Sequence, residues 1–153
     1  MTTTTAPEIA ATPAKTTVTE ATKSLADRAR PTVLALFRAV VSALFFCHGL
    51  IGFGFFGGID NAGGGFPFGQ WPGYWASVIE VVGAILVFAG LFTRVSAIVL
   101  SGVMAYAYFT VHAPEGLLPL HNMGEPAALY AWIFLAIAVV GPGAVSLDQV
   151  RRR

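Results

Sequence analysis

Four long apolar stretches organise the chain, separated by short polar, proline-containing or glycine-rich segments. The clearest of them, GYWASVIEVVGAILVFAGLFTR, runs from Gly73 to Arg94. At ~1.5 Å per residue, a helix of about 20 apolar residues crosses a hydrocarbon core ~30 Å thick. The pattern predicts an all-α fold, an integral membrane four-helix transmembrane bundle with helices at about 31–53, 73–93, 95–112 and 125–141.

The second of these helices combines an acid with a stripe of small residues. Ala76, Gly83 and Gly90 are spaced by seven, so at ~100° per residue they fall within about 40° of one another. Glu80 lies within about 80° of the same direction. Small residues let another helix approach closely in a membrane. We therefore expect Glu80 to face protein and not lipid.

The other helices show faces and boundaries of their own. In the first, Pro31 fits a first helical position, and one face repeats at intervals of four and three: Arg38, Ser42, Phe45, Gly49 and Gly52. The third follows the second through a tight antiparallel hairpin, with an inward stripe predicted at Ser101, Ala105, Tyr108 and His112. Asn122 and Glu125 fit an N-cap pair opening the fourth, which Gly141-Pro142-Gly143 should end or kink.

Composition supports membrane insertion. The chain is 56% hydrophobic and only 11% charged, with a mean hydropathy of +0.71, whereas soluble domains carry about 25% charged residues. The lone Cys47 excludes an intrachain disulfide and a paired-cysteine redox motif.

Residues 1–30 are rich in threonine, alanine and charge and show no apolar periodicity. We predict a disordered cytoplasmic tail there, whose last ten residues could form a short interfacial helix. We expect no signal peptide, because no basic segment leads directly into an apolar run at the N-terminus.

The basic residues predict the orientation. All but Arg38 flank one side of the predicted bundle, and the two loops of the other side contain no lysine or arginine. By the positive-inside rule, both termini and the turn between the second and third helices are cytoplasmic.

Several motifs occur in an order that resembles the DoxX family of small four-helix bacterial membrane proteins. They are Arg38 with His48-Gly49, Glu80-x-x-Gly83, Gly90 to Arg94, Asn122-x-Gly124-Glu125 with Ala127 and Leu129-Tyr130, Gly141 to Gly143, and Ser146 to Asp148. The resemblance covers about residues 33–150 and implies a DoxX-like domain over 31–150 in a bacterial plasma membrane. Many family members carry a lysine shortly after the glycine of the first helix, and this chain has none there.

The resemblance also implies a function. DoxX proteins are associated with redox machinery, so we expect an accessory subunit of a redox complex that contacts quinone and has no independent catalytic activity. Its partners would be the lipid bilayer and other membrane or redox-complex proteins, with a homo-oligomer as an open alternative and no nucleic acid. A second hypothesis is a small-solute transporter or permease that works as an oligomer, with Glu80 and Arg38 lining its path.

The candidate functional residues within the membrane are Glu80, Arg38 and His48. Glu80 is either a structural carboxyl or a proton-carrying or ligand-binding acid, since charge at membrane depth is costly. For Arg38, snorkelling to the cytoplasmic surface is favoured over pairing with Glu80, and Asp148 is a nearer partner. Structural or capping roles are expected for Asn122, Glu125 and Tyr130. His48 and His112 lie at similar predicted depths, so a haem ligated by both is a lesser alternative, and no other metal site is expected.

Overall fold

A computed structural model describes the backbone of residues 14–151 and the side chains of residues 25–151. The described chain is helical and contains no β-strand, which confirms the predicted all-α class. Its α-helices are α1 (Ala14–Ile51), α2 (Gly73–Ala89), α3 (Thr93–Ala107), α4 (Glu125–Val140) and the short α5 (Leu147–Arg151). A π-helical turn, Tyr108–His112, and a 3-10 turn, Ala113–Glu115, continue from the end of α3.

Helix α1 begins at Ala14, well before the start predicted at Pro31. Residues 14–30, predicted as part of a disordered tail, are therefore helical, while residues 1–13 lie outside the described part. Alanine, lysine, glutamate and arginine in this segment are good helix formers, and extension of an existing helix needs no new nucleus. Pro31 lies inside α1 and not at its first position. Its carbonyl accepts a 2.8 Å hydrogen bond from the Ala144 amide, which joins α1 to the segment after α4.

Helix α2 ends at Ala89, four residues earlier than predicted, because Gly90 adopts a left-handed conformation (φ 70°, ψ 35°). The amides of Gly90 and Leu91 donate back to the carbonyls of Val87 and Leu86, a glycine-based C-cap. Helix α3 starts at Thr93, so the two helices form the predicted tight hairpin.

Helix α4 matches the predicted span closely, ending at Val140 with Gly141 as its C-cap. The capping prediction for Asn122 is wrong: Gly124 occupies the N-cap position, without a side-chain cap. The Asn122 carboxamide oxygen instead accepts the Gly124 amide at 2.8 Å, a local turn that precedes the helix. Glu125 is exposed in the first turn of α4.

The long helices pack in chain order, α1 on α2, α2 on α3 and α3 on α4. The predicted face of α1 is confirmed, since Arg38, Ser42, Phe45, Gly49 and Gly52 are all buried. In α3 the predicted stripe is only half-buried, and the fully buried stripe lies one position away, at Thr93, Ser96, Ala97, Leu100 and Met104.

The distribution of polarity is typical of a protein surrounded by lipid. Buried positions include charged and hydroxyl side chains, whereas the outward faces of the helices carry large apolar residues such as Val40, Leu44, Ile98 and Val139. Two segments, Leu25–Ile51 and Thr93–Glu115, are long and apolar enough to cross a membrane, and Gly73–Ala89 and Glu125–Val140 are shorter apolar helices.

Candidate functional site

Glu80 lies at the contact between α1 and α2, as the spacing of small residues predicts. Its side chain is 7% exposed. The buried Gly49 of α1 lies opposite, and a methyl group added to Gly49 would come 3.0 Å from the Glu80 Cβ. The absence of a side chain at Gly49 therefore allows the close approach of the two helices around the acid.

A cavity of about 300 Å³ opens beside Glu80. Its wall is mainly apolar, formed by residues of α1 to α4 and of the loop between α1 and α2. Two of its hydroxyl groups donate to their own helices: Ser77 Oγ to the Gly73 carbonyl at 3.1 Å, and Thr110 Oγ1 to the Tyr106 carbonyl at 2.8 Å. Glu80 makes no hydrogen bond or ion pair within residues 25–151, so its carboxyl group is available to a ligand in the cavity.

Both candidate histidines also line this cavity. The His48 ring lies 5.6 Å from the Phe45 ring and 5.8 Å from the Tyr130 ring, between centroids, and it has no hydrogen bond within the described side chains. His112 is already engaged, with Nδ1 3.0 Å from the Asn122 carbonyl oxygen, which leaves Nε2 for any further contact. Tyr130 thus packs against His48, and the Asn122 carbonyl contacts His112.

Arg38 lies elsewhere, and the snorkelling prediction for it is wrong. Its side chain is 4% exposed, with Nη1 donating to the Val87 carbonyl at 2.9 Å and Nη2 to the Val145 carbonyl at 3.0 Å. The last carbonyls of a helix lack partners within it and carry partial negative charge, which makes them good acceptors for a guanidinium. Gly90 leaves room for this group, since a side chain there would overlap Arg38.

Two residues that were not among the predicted site residues complete the same end of the bundle. Arg94 Nη1 donates to the carbonyls of Ala138 and Val139 at 2.9 Å each, so it closes α4 as Arg38 closes α2. Asp148 accepts hydrogen bonds from the amides of Phe92 and Thr93 at 2.8 and 2.9 Å, and so caps α3 from the far end of the chain. Asp148 is also close enough to Arg38 for an electrostatic interaction. The DoxX-like motifs at 90–94 and 146–148 therefore form one structural junction.

Comparison with known proteins identifies the family of the chain. The family model "DoxX" matches residues 33–113. An "Uncharacterized protein" of Haemophilus influenzae is 45% identical over 126 residues, covering 80% of this chain and 93% of that protein. The "Inner membrane protein YphA" of Escherichia coli is 31% identical over 129 residues, covering 79% and 91%. No solved structure matches. The chain therefore belongs to the DoxX family of membrane proteins.

Proposed function

We propose that the protein crosses the bacterial plasma membrane four times, with both termini in the cytoplasm. Helices of 17 and 16 residues, α2 and α4, span about 25 Å, close to the ~30 Å hydrocarbon core. Three arginines from distant parts of the chain, Arg30, Arg94 and Arg151, line one groove at the same end of the bundle. A concentration of basic residues at one end supports the cytoplasmic assignment of that end.

We propose further that the protein is an accessory subunit of a membrane redox complex, and that the Glu80 cavity contacts the head group of a quinone. The observation that carries this proposal is the pair of ionisable groups, Glu80 and His48, that face an apolar cavity without hydrogen bonds to other described side chains. Binding sites of small molecules are mainly apolar with a few convergent polar groups, and about 300 Å³ is the lower end of their size range. A quinone presents an apolar ring with two carbonyl acceptors, which a protonated carboxyl and an imidazole N–H can satisfy.

The transport hypothesis receives less support from the geometry. It requires Glu80 and Arg38 to line one path, but Arg38 is not on the cavity wall and its guanidinium is bonded to the carbonyls of Val87 and Val145. Arg38 closes the end of a helix, and we therefore assign it a structural role.

Affinity purification in a mild detergent tests the redox role. We expect the wild-type protein to recover flavin-, iron–sulfur- or quinone-linked membrane proteins, identified by mass spectrometry. Glu115→Gln is the matched control for variants of Glu80, because Glu115 is exposed and lies outside the cavity lining. Recovery of the protein alone, together with solute flux after reconstitution into liposomes, would contradict the proposal.

A further inference from the structure

A second, larger cavity lies at the arginine-rich end of the bundle. It is an open groove of about 740 Å³ between the start of the apolar part of α1, the turn between α2 and α3, the segment after α4, and α5. None of its lining residues is shared with the Glu80 cavity. We refer to it as the basic groove.

The charge of the basic groove is strongly unbalanced. Among the described residues, its lining contains three arginines, Arg30, Arg94 and Arg151, and one acid, Asp148. The Asp148 oxygens accept hydrogen bonds from the amides of Phe92 and Thr93, so this carboxylate serves the end of α3. The arginines come from three separate helices, and the fold alone brings them together.

Two of the arginines are held in position with donors to spare. The Arg151 guanidinium carbon lies 4.9 Å from the centre of the Phe92 ring, a cation–π arrangement that leaves the N–H edge of the group open. Arg94 uses Nη1 on the carbonyls of α4, which leaves its other nitrogens as donors. Arg30 is exposed on α1. Guanidinium groups with free N–H edges bind phosphate oxygens in bidentate geometry.

The rest of the lining is apolar and open. Leu34, Val95 and Val140 belong to it, and Val95 and Val140 are 64% and 43% exposed on the outer faces of their helices. A ligand with a phosphate and a hydrocarbon part fits such a wall, whereas free phosphate would use only the arginines. We propose that the basic groove binds an anionic phospholipid, with the phosphodiester on Arg30, Arg94 and Arg151 and the first part of an acyl chain along the apolar wall. Basic pockets between helices at the cytoplasmic surface are suited to such head groups.

Native mass spectrometry of the full-length protein in detergent tests this proposal, which does not depend on the redox role. Phosphatidylglycerol, phosphatidylcholine and inorganic phosphate are titrated separately. The test variant is Arg30→Gln and its matched control is Arg28→Gln, because Arg28 is exposed and does not line the groove. Arg94 is left unchanged, since it also closes α4.

We expect phosphatidylglycerol to bind more tightly than phosphatidylcholine. Arg30→Gln should weaken its binding about fivefold, and Arg30→Gln with Arg151→Gln about thirtyfold, from the contribution of each arginine near an anionic head group. Arg28→Gln should bind as the wild type does, and thermal unfolding of each variant verifies folding. Equal binding of the two lipids, equal loss in Arg28→Gln and Arg30→Gln, or inorganic phosphate binding as tightly as phosphatidylglycerol would overturn the proposal.

Discussion

Replacement of Arg38 by methionine tests the structural junction at the arginine-rich end. The substitution keeps an unbranched apolar stem but removes both guanidinium hydrogen bonds, to the Val87 carbonyl at 2.9 Å and to the Val145 carbonyl at 3.0 Å. Hydrogen bonds from a charged donor contribute about 1.5–3 kcal/mol each. Removing a buried charge also recovers part of its desolvation cost, so the expected net loss of unfolding free energy is about 3 kcal/mol.

Two further variants separate the hydrogen bonds from the charge. Arg38→Lys retains the charge but lacks the fork that reaches two carbonyls, and we expect about half of the loss. Arg28→Met removes an exposed arginine ten residues earlier and should change stability by no more than about 0.5 kcal/mol. The assay is reversible unfolding by increasing dodecyl sulfate in mixed micelles, followed by circular dichroism. Equal stability of Arg38→Met and Arg28→Met would refute the assignment of Arg38 as the residue that closes α2.

Three other predictions concern topology, the loop between α1 and α2, and helix packing. In a background without Cys47, a cysteine at the exposed Glu115 should react with a membrane-impermeant thiol reagent in whole cells and one at the exposed Val150 should not; the reverse pattern would invert the proposed orientation. Backbone amides of the loop donate to Asp60 and lower its pKa. The ionised carboxylate therefore stabilises the folded loop above the usual aspartate pKa, and this stabilisation is lost as the pH falls through the lowered value. Measured relative to intrinsic exchange rates, amide exchange in the loop should accelerate as the pH falls below the usual aspartate pKa, and this pH dependence should be absent in Asp60→Asn. Glu80→Leu should lower thermal stability in detergent or partner recovery, because leucine replaces the carboxyl group that faces the cavity at the contact between α1 and α2; unchanged values for both would contradict a role for this carboxyl group.

The burial of Glu80 could be predicted from the sequence because the pattern that determines it is local. Residues three, four and seven apart share a helix face whatever the rest of the chain does. The positions of Ala76, Gly83 and Gly90 were therefore sufficient to indicate which side of α2 approaches another helix. The same reasoning predicts the face of α1 from Arg38 to Gly52, which is buried in the structure.

The partners of Arg38 could not be predicted in this way. They are backbone carbonyls 49 and 107 positions away in the chain, and any helix end offers such carbonyls. Asp148 caps α3 across a separation of 55 residues, which no capping motif describes. Contacts of this kind depend on how the helices are arranged in space, and a single sequence carries no local signal for that arrangement.

Helix boundaries were predicted less accurately where two local signals competed. Pro31 is favoured at a first helical position, but α1 extends through it. The Pro31 carbonyl accepts a hydrogen bond from the Ala144 amide. At the end of α2, the apolar pattern continues to Thr93, while the left-handed Gly90 ends the helix earlier. Asn122 illustrates the same competition. Its side-chain oxygen accepts a hydrogen bond from the Gly124 amide in a local turn and does not cap α4.

Quinone binding by the purified protein directly tests the function proposed for the Glu80 cavity. We expect a short-chain ubiquinone analogue to bind to the wild type and to Glu115→Gln, measured by quenching of tryptophan fluorescence with a correction for absorption by the analogue. Glu80→Gln should remain folded and keep most of the affinity, because the carboxamide N–H can also donate to a quinone carbonyl, whereas Glu80→Leu has no donor and should bind the analogue about tenfold more weakly. Equal affinity of the wild type and Glu80→Leu, or no binding by the wild type, would contradict the assignment of the Glu80 cavity as a quinone site.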